Sequence, residues 1–411
     1  MDFSLDYTVE QEQFAVEVRE WLNVNVPPGL LPVRDPAKMS TDQLQMRRDF
    51  AKKLGKKGWL YPSFPAAYGG GGLNADQSYV LTVELAEKGL GLPPLYDIGV
   101  LAAPAILACG TEEQKKRFLP PIFSGDILTW QLFTEPEAGT DEANQQTNAL
   151  RSTTDKEYFI INGQKIFVGS FPSKPEQFFL LTRSDLTAPR HKNLAVFLIP
   201  ANLPGIEVQP LDLFPPGTFF EASCPTMANS EGTKHSVFFD DVKVHESYLI
   251  GGDYDGWKVV NAALDVEHSG TVASVIGHNY TIEKFFAQLR NNPNVAKRVK
   301  NNPLLLETIA DIYIDAQIER LFSVRNAWQG FNNKIVPYTG PQMSLYSKNF
   351  GGRFIADSLK VLGPCALTDD PEWMLDDGIF EAGQRSGVCF ASAGTPEALK
   401  IGMARALGIG R

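Results

Sequence analysis

The stretch NAALDVEHSGTVASVIGH, residues 261–278, reads as a helix of small and apolar side chains that carries Glu267 close to glycine and serine rather than to a salt-bridge partner. A carboxylate that loses water on folding is costly unless it is paired, hydrogen-bonded or kept protonated. Glu267 therefore belongs either at the surface or in a working acid/base role, and the chemistry open to it there is proton transfer. The other reactive residue types form no such constellation. Cys109, Cys224, Cys365 and Cys389 make no CxxC pair, and the five histidines make no HExxH spacing, so neither a metal site nor a disulfide framework is expected.

The elements that must position Glu267 change period along the chain. In the first third, Thr8 and Gln11 form a T-x-x-Q capping box, after which Phe14, Val18, Trp21 and Leu22 recur at helical spacing until Pro27 and Pro28. Thr111 and Gln114 repeat the box just after Gly110, which suits a position beyond a helix C-terminus. Further periodic segments lie near 41–54 and 76–88, separated by YPSFPAAYGGGG (61–72), whose prolines and glycines exclude regular structure. In the middle third, EYFIINGQKIFVGS (157–170) places Asn162-Gly163 between two β-rich runs, a hairpin signal, and NLAVFLIPA (193–201) and HSVFFDDVKV (235–244) read as strands. From about Gly256 the helical period returns. Asn302 caps and Pro303 opens a long helix with an apolar stripe of Leu305, Ile309, Ile312, Ala316 and Leu321, ending near Gly330. Helices are also expected over 341–362 and from Pro396 onward.

At roughly 150 residues per domain, 411 residues predict two or three domains. Apolar residues at 43% and charged residues at 21% support a large packed core rather than a disordered chain. A net charge of −10 argues against a broad basic field for nucleic acid or an anionic membrane. The longest apolar run, IGVLAAPAILACG at 98–110, is too short to span a bilayer, and MDFSLDYTVEQEQ lacks a basic region followed by an apolar one, so a soluble cytoplasmic protein is expected.

The order helical, β, helical, together with YPSFPAAYGG (61–70), GTEEQKKRFLPPIFSGD (110–126), FTEPEAGTD (133–141), INGQKIFVGS (161–170), VFFDDVKV (237–244) and GWKVVNAALDVE (256–267), resembles the acyl-CoA dehydrogenase family over essentially the whole chain. The resemblance implies an α+β fold: an N-terminal helical domain over 1–128, a middle β-barrel or sandwich domain over 129–246, and a C-terminal four-helix bundle over 247–411. It implies FAD as cofactor and an acyl-CoA substrate oxidised at its α and β carbons. It also implies an electron-transferring flavoprotein as electron acceptor, and either a homo-oligomer or a heteromer with a related chain. A carboxylate removes the α proton, the β hydride passes to the flavin, and hydrogen bonds to the thioester oxygen stabilise the enolate.

Many members keep that base in a Tyr-Glu-Gly-Thr loop, which corresponds here to Ser392-Ala393-Gly394-Thr395. Ala393 cannot take a proton, although its backbone N–H can still donate to an oxyanion. Other members carry the base on the first helix after the Gly-Trp motif, in a Leu-x-x-Glu-Arg sequence. LDVEH places Glu267 at that position, which aligns this chain with that subgroup. The resemblance further assigns Phe133, Thr134, Gly139, Thr140, Phe167, Gly169 and Thr395 to the cofactor, with Thr134 at the pyrimidine edge and Gly139 and Thr140 at the pyrophosphate. Glycine permits close backbone approach to a phosphate and a hydroxyl can donate to it, with an ordinary turn around Pro136 and Gly139 as the lesser alternative. Phe167 stands where a flavin-shielding tryptophan is usual, or is a core strand residue. Gly169 replaces a threonine, leaving a backbone contact only.

Counting from Glu267, Gly270, Thr271 and Ser274 share its helix face, and Ala391 to Gly394 are also small. Gly270, Thr271, Ala393 and Gly394 are therefore expected to line a wide substrate pocket, for a branched, cyclic or ring-bearing acyl group, the alternative being that these small residues only allow close helix packing. Other positions depart from the family. His268 replaces the arginine after the glutamate, as a neutral structural residue or a tuner of Glu267. LRNNPNVAKRVKNN (289–302) lacks the Arg-x-x-Phe-Gly motif that reaches a neighbouring subunit's FAD. KVLGPCA (360–366) stands for Gln-x-x-Gly-Gly, and Glu397 stands for a glutamine. A partner chain, or Arg298 or Arg353, is expected to supply the missing charge. An acyl-CoA oxidase and a weakly catalytic subunit of a heteromeric dehydrogenase are the competing functions.

Overall fold

Local capping sets the first helices. In the computed structural model, which describes residues 7–30, 39–88, 90, 97–169, 174–211, 234–269, 280–332, 334, 336–386 and 395–409, Gln11 N–H donates to Thr8 Oγ1 at 3.2 Å and Thr8 N–H to Gln11 Oε1 at 3.0 Å. That box opens α1 (Val9–Asn25), which ends before Val26 because Pro27 and Pro28 hold the chain out of the helical region. Ser40 with Gln43 and Thr111 with Gln114 form the same box on α2 (Thr41–Lys57) and α5 (Glu112–Phe123). Between them lie α3 (Ala75–Glu87) and α4 (Gly99–Cys109). Residues 61–72 contain a single 3-10 turn, Ala66–Tyr68. Gly110 follows α4 in an extended conformation; it is needed for room, since a Cβ there would lie 2.6 Å from the Ile106 carbonyl oxygen.

The strands are β1 (Thr129–Leu132), β2 (Asn148–Arg151), β3 (Tyr158–Val168), β4 (Gln177–Arg183), β5 (Leu194–Pro200), β6 (Ile206–Pro210), β7 (His235–His245) and β8 (Leu249–Ile250). They form one sheet in the order β6-β7-β3-β2-β4-β5-β8, with β1 parallel to β4. Asn162-Gly163 is not a hairpin turn, and β3 runs straight through it. Gly163 adopts φ +146° because a Cβ would lie 2.5 Å from Thr147 Cα, while the Asn162 side chain bonds Asp241 of β7 in both directions, at 2.9 and 2.8 Å. The dipeptide builds a bulge at a close crossing of two chains. In β4 and β5 both faces are buried. Phe179, Leu181, Leu194, Val196 and Leu198 join the core of the N-terminal helices, while Phe178, Leu180, Ala195, Phe197 and Ile199 fill the interior of the sheet.

After the sheet comes α6 (Gly256–Ser269), then α7 (Tyr280–Asn291), α8 (Pro293–Asn301), α9 (Leu304–Phe331), α10 (Thr339–Leu362), α11 (Ile379–Ser386) and α12 (Pro396–Ala406). Phe285, Ile312, Phe350, Phe354 and Phe380 anchor a third core among the last of these. Two details differ from expectation. Asn302 closes α8, and Pro303 takes the cap position of α9. Leu321 is 54% exposed, because beyond Ile312 the buried face of α9 passes through Glu319, Ser323 and Asn326. Asn326 Nδ2 donates to the Thr339 carbonyl of α10 at 3.0 Å. Among the described residues no helix is long and apolar enough to cross a membrane, and no cluster of potential metal ligands occurs.

Candidate functional site

The chain leaves β1 at Phe133 and enters an open loop beside the end of β3. Ile166 N–H donates to the Thr134 carbonyl at 3.0 Å, and Glu135 and Ala138 exchange backbone bonds at 2.9 and 3.1 Å, closing a short turn. Beyond it Gly139 and Thr140 are exposed, and a Cβ on Gly139 would meet nothing within 4 Å. Thr134 is half-buried, and the hydroxyls of Thr134 and Thr140 donate to no other described residue. The Phe133 ring is buried against Phe179 at 5.3 Å, and its carbonyl accepts from Lys165 Nζ at 3.3 Å and Gln145 Nε2 at 3.1 Å.

A bulge in β3 shapes the opposite wall. Lys165 pairs with Val237 and Val168 with His235, so one extra residue is inserted between them. Phe167 takes φ +58° and is 51% exposed, which excludes the reading of it as a core strand residue. A non-glycine residue at positive φ costs roughly 1–3 kcal/mol, and such strain is characteristic of functional positions. Three contacts hold the bulge. His235 Nδ1 lies 3.2 Å from the Val168 carbonyl, His235 stacks on Trp130 at 4.9 Å, and Gly169, at φ +67°, lies where a Cβ would overlap the Trp130 ring. The side on which Gly169 would carry a side chain is thus filled by Trp130.

An outward aromatic ring, two hydroxyls without partners among the described residues and an uncrowded glycine suit a ligand with a planar ring and a phosphate. This donor set fits FAD. Thr395 is the N-cap of α12, where its Oγ1 accepts from Ala398 N–H at 3.2 Å.

Glu267 lies on α6, which is seated by Val259, Val260 and Ala263 in the core shared with α4. Gly256 lets the start of that helix meet β5, since a Cβ would lie 2.5 Å from Ala195 N. Trp257 packs on His191, at φ +67°, with ring centroids 4.5 Å apart. The side chains of Glu267 and His268, and Gly270, Thr271, Ser274, Ala393 and Gly394, lie outside the described residues.

Two buried clusters beside the site carry no obvious sequence signal. Asp97 accepts from Gly99 N–H at 2.9 Å, Thr129 N–H at 2.8 Å and Tyr61 Oη at 2.7 Å, joining α4, β1 and loop 61–72. Burial pushes its carboxyl up to about 6. A carboxylate just ahead of an apolar helix was the available clue. Lys165 lies fully buried with Glu135 and Gln145, and burial pulls its ammonium down to about 8 against the opposing effect of Glu135.

Residues 8–126 match the N-terminal domain of acyl-CoA dehydrogenases, and residues 131–215 match the middle domain. The acyl-CoA dehydrogenase IpdE1 of Mycolicibacterium smegmatis is 26% identical over 328 residues, 77% of this chain and 78% of that protein. The fold is shared with the Tcur3481-Tcur3483 steroid ACAD, at TM-score 0.79 and 24% identity over 100% of both chains. The ChsE4-ChsE5 complex from Mycobacterium tuberculosis matches at TM-score 0.76 and 24% identity, also over 100% of both chains. With its helical, β, helical order and the loop at 133–141, the chain carries stretches that match the N-terminal and middle domains of acyl-CoA dehydrogenases, FAD-dependent enzymes that oxidise acyl-CoA thioesters, and it shares their fold.

Proposed function

We propose that this chain dehydrogenates a bulky, branched or ring-bearing acyl-CoA to its 2-enoyl-CoA, with Glu267 as the α-proton base and an electron-transferring flavoprotein as acceptor. The observation that carries this reading is the seat of α6. Glu267 follows Ala263 by four residues and Val260 by seven, so its position falls on the helix face on which both are fully buried. With alanine at 393, no carboxylate stands at the alternative loop position. The backbone N–H of residue 393 donates to the enolate oxygen.

Thr134 would hold the pyrimidine edge of FAD, Gly139 and Thr140 its pyrophosphate, and Phe167 would cover one face of its ring. Phe133 and Gly169 contribute backbone only, and Thr395 contributes from the start of α12. FAD, when bound, accepts the β hydride. The functional division of the chain is 1–128, 129–246 and 247–411, with α6 reaching back onto α4.

A wide pocket is supported by the small residues Gly270, Thr271, Ser274 and Ala393, and by the likeness to a structure described as a steroid ACAD. The test compares kcat/KM for linear acyl-CoAs with cyclohexyl, aryl-branched and sterol-side-chain thioesters. The ring-bearing substrates are expected to lead. Preference for a short linear chain by ~100-fold, about 2.7 kcal/mol of transition-state binding, contradicts the wide pocket.

Assembly with a related chain is the second part of the proposal. Arg298 spends its guanidinium on the Lys360 carbonyl at 3.0 and 3.3 Å, and Arg353 pairs with Asp315 at 2.6 Å, so both candidate substitutes for the missing arginine are engaged. On α9, Leu306, Tyr313, Ile314, Leu321 and Trp328 are all exposed along one face, an apolar stripe suited to a partner helix. The ChsE4-ChsE5 complex, with two different chains, supports the same arrangement. Full FAD occupancy is expected only when a related partner is co-expressed. A homotetramer purified with one FAD per chain contradicts it.

A further inference from the structure

We propose that Lys165 is a positioning residue for FAD: its buried ammonium, held by Glu135, Gln145 and the Phe133 carbonyl, sets where the loop at 133–147 presents Thr134, Gly139 and Thr140. The proposal rests on the assignment of that loop to the cofactor.

An ammonium has three donors, and here each has a separate acceptor. Lys165 Nζ donates to Glu135 Oε1 at 2.7 Å, to the Phe133 carbonyl at 3.3 Å and, in a short bond, to Gln145 Oε1. The acceptors are themselves anchored. Glu135 also accepts from Gln146 N–H at 2.6 Å and Thr147 N–H at 3.0 Å, while Gln145 Nε2 donates to the carbonyls of Phe133 and Glu142 at 3.1 and 2.8 Å. Both ends of the loop therefore converge on one nitrogen.

Thr134 lies between two residues, Phe133 and Glu135, that Lys165 grips directly, and its own carbonyl takes the Ile166 N–H. The backbone on both sides of the Thr134 hydroxyl is thus held by β3. Farther out, Pro136, Glu137, Gly139 and Thr140 are exposed, so the loop has little packing of its own to fix its course. Lys165 is wholly inaccessible and Glu135 is 3% exposed. A buried ion pair contributes little net stability compared with well-packed apolar residues, so stability alone does not account for a lysine here. Geometry does: three directed bonds specify a loop path that apolar contacts would leave loose.

The test uses the full chain, with its partner if FAD uptake requires one. Lys165→Met and the neutral double variant Lys165→Met/Glu135→Gln are compared with Ile199→Ala, a cavity variant in the sheet interior. FAD affinity is read by flavin fluorescence, the environment of the ring by the shape of its visible bands, and stability by Tm without FAD. Lys165→Met should lose FAD affinity on the order of 30-fold, the scale of one or two misplaced hydrogen bonds. The double variant, which removes both charges of the Lys165–Glu135 pair, should recover most of the Tm while FAD affinity stays at least ~10-fold weak and the bands stay altered. Ile199→Ala should lower Tm and leave affinity within ~3-fold. A double variant that binds FAD as the wild type does, with unaltered bands, overturns the proposal. A wild-type chain that takes up no FAD, alone or with a partner, removes it together with the cofactor assignment on which it rests.

Discussion

Glu267→Gln leaves FAD bound and slows flavin reduction by acyl-CoA by at least ~10³-fold, because the amide keeps the size of the side chain and loses its basicity. The helix itself should persist. Glutamine is nearly as good a helix former as glutamate, and α6 is anchored upstream by Val259, Val260 and Ala263. Loss of rate with retained cofactor thus separates the chemical step from folding and from FAD binding. Ala393→Glu on this background should restore part of the rate, since the family carries its base at either position. That rescue depends on a pocket shaped for alanine accepting four more heavy atoms beyond Cβ. Rapid-reaction absorbance of the flavin reads both variants, and an undiminished rate in Glu267→Gln removes this residue from the mechanism.

Gly169→Ala should destabilise the chain by roughly 3 kcal/mol or more and reduce its flavin content. Two penalties combine. The residue sits at φ +67°, which costs an L-amino acid about 1–2 kcal/mol, and its new methyl would overlap Cδ2, Cε3 and Cε2 of Trp130. That indole is 1% exposed and packed against Phe178 and His235, so it has little freedom to retreat. Any shift passes into the bulge that presents Phe167, two residues earlier. Gly139→Ala is the contrasting variant. Its Cβ meets nothing, so stability should change by no more than ~0.5 kcal/mol, while FAD affinity falls if the backbone there approaches the pyrophosphate. Urea midpoints and flavin-to-protein ratios for the pair check both statements. Equal stability of Gly169→Ala and wild type would contradict the packing account.

Helix ends and strand cores were legible because their causes are local. Thr8, Gln11, Thr111 and Gln114 announce their helices within four residues, and the apolar run in 193–201, read as a strand, forms β5, buried on both faces. Asn162-Gly163 misled for the opposite reason. The same φ freedom that makes a turn also lets Thr147 pass close by, and nothing within the dipeptide tells the two apart. Leu321 was assigned to the core by continuing a straight stripe, whereas the contact face of α9 follows α10 through polar residues.

The site divides in the same way. Thr134, Gly139 and Thr140 come together because they lie in one loop, but the exposure of Phe167 depends on Trp130, Gly169 and His235, which come from three segments. Lys165 is buried only because Glu135, 30 residues earlier, and Gln145, 20 earlier, fold over it. Long-range burial of a charge has no periodic signature in a sequence.

Anaerobic mixing of the purified flavoprotein, with its partner chain where needed, with a ring-bearing acyl-CoA tests the central claim most directly, with flavin absorbance and thioester products followed together. The account predicts loss of the oxidised flavin band with one 2-enoyl-CoA formed per flavin reduced, and return of the band when electron-transferring flavoprotein is added. A flavin that stays oxidised in excess thioester, with no enoyl-CoA formed, would contradict it.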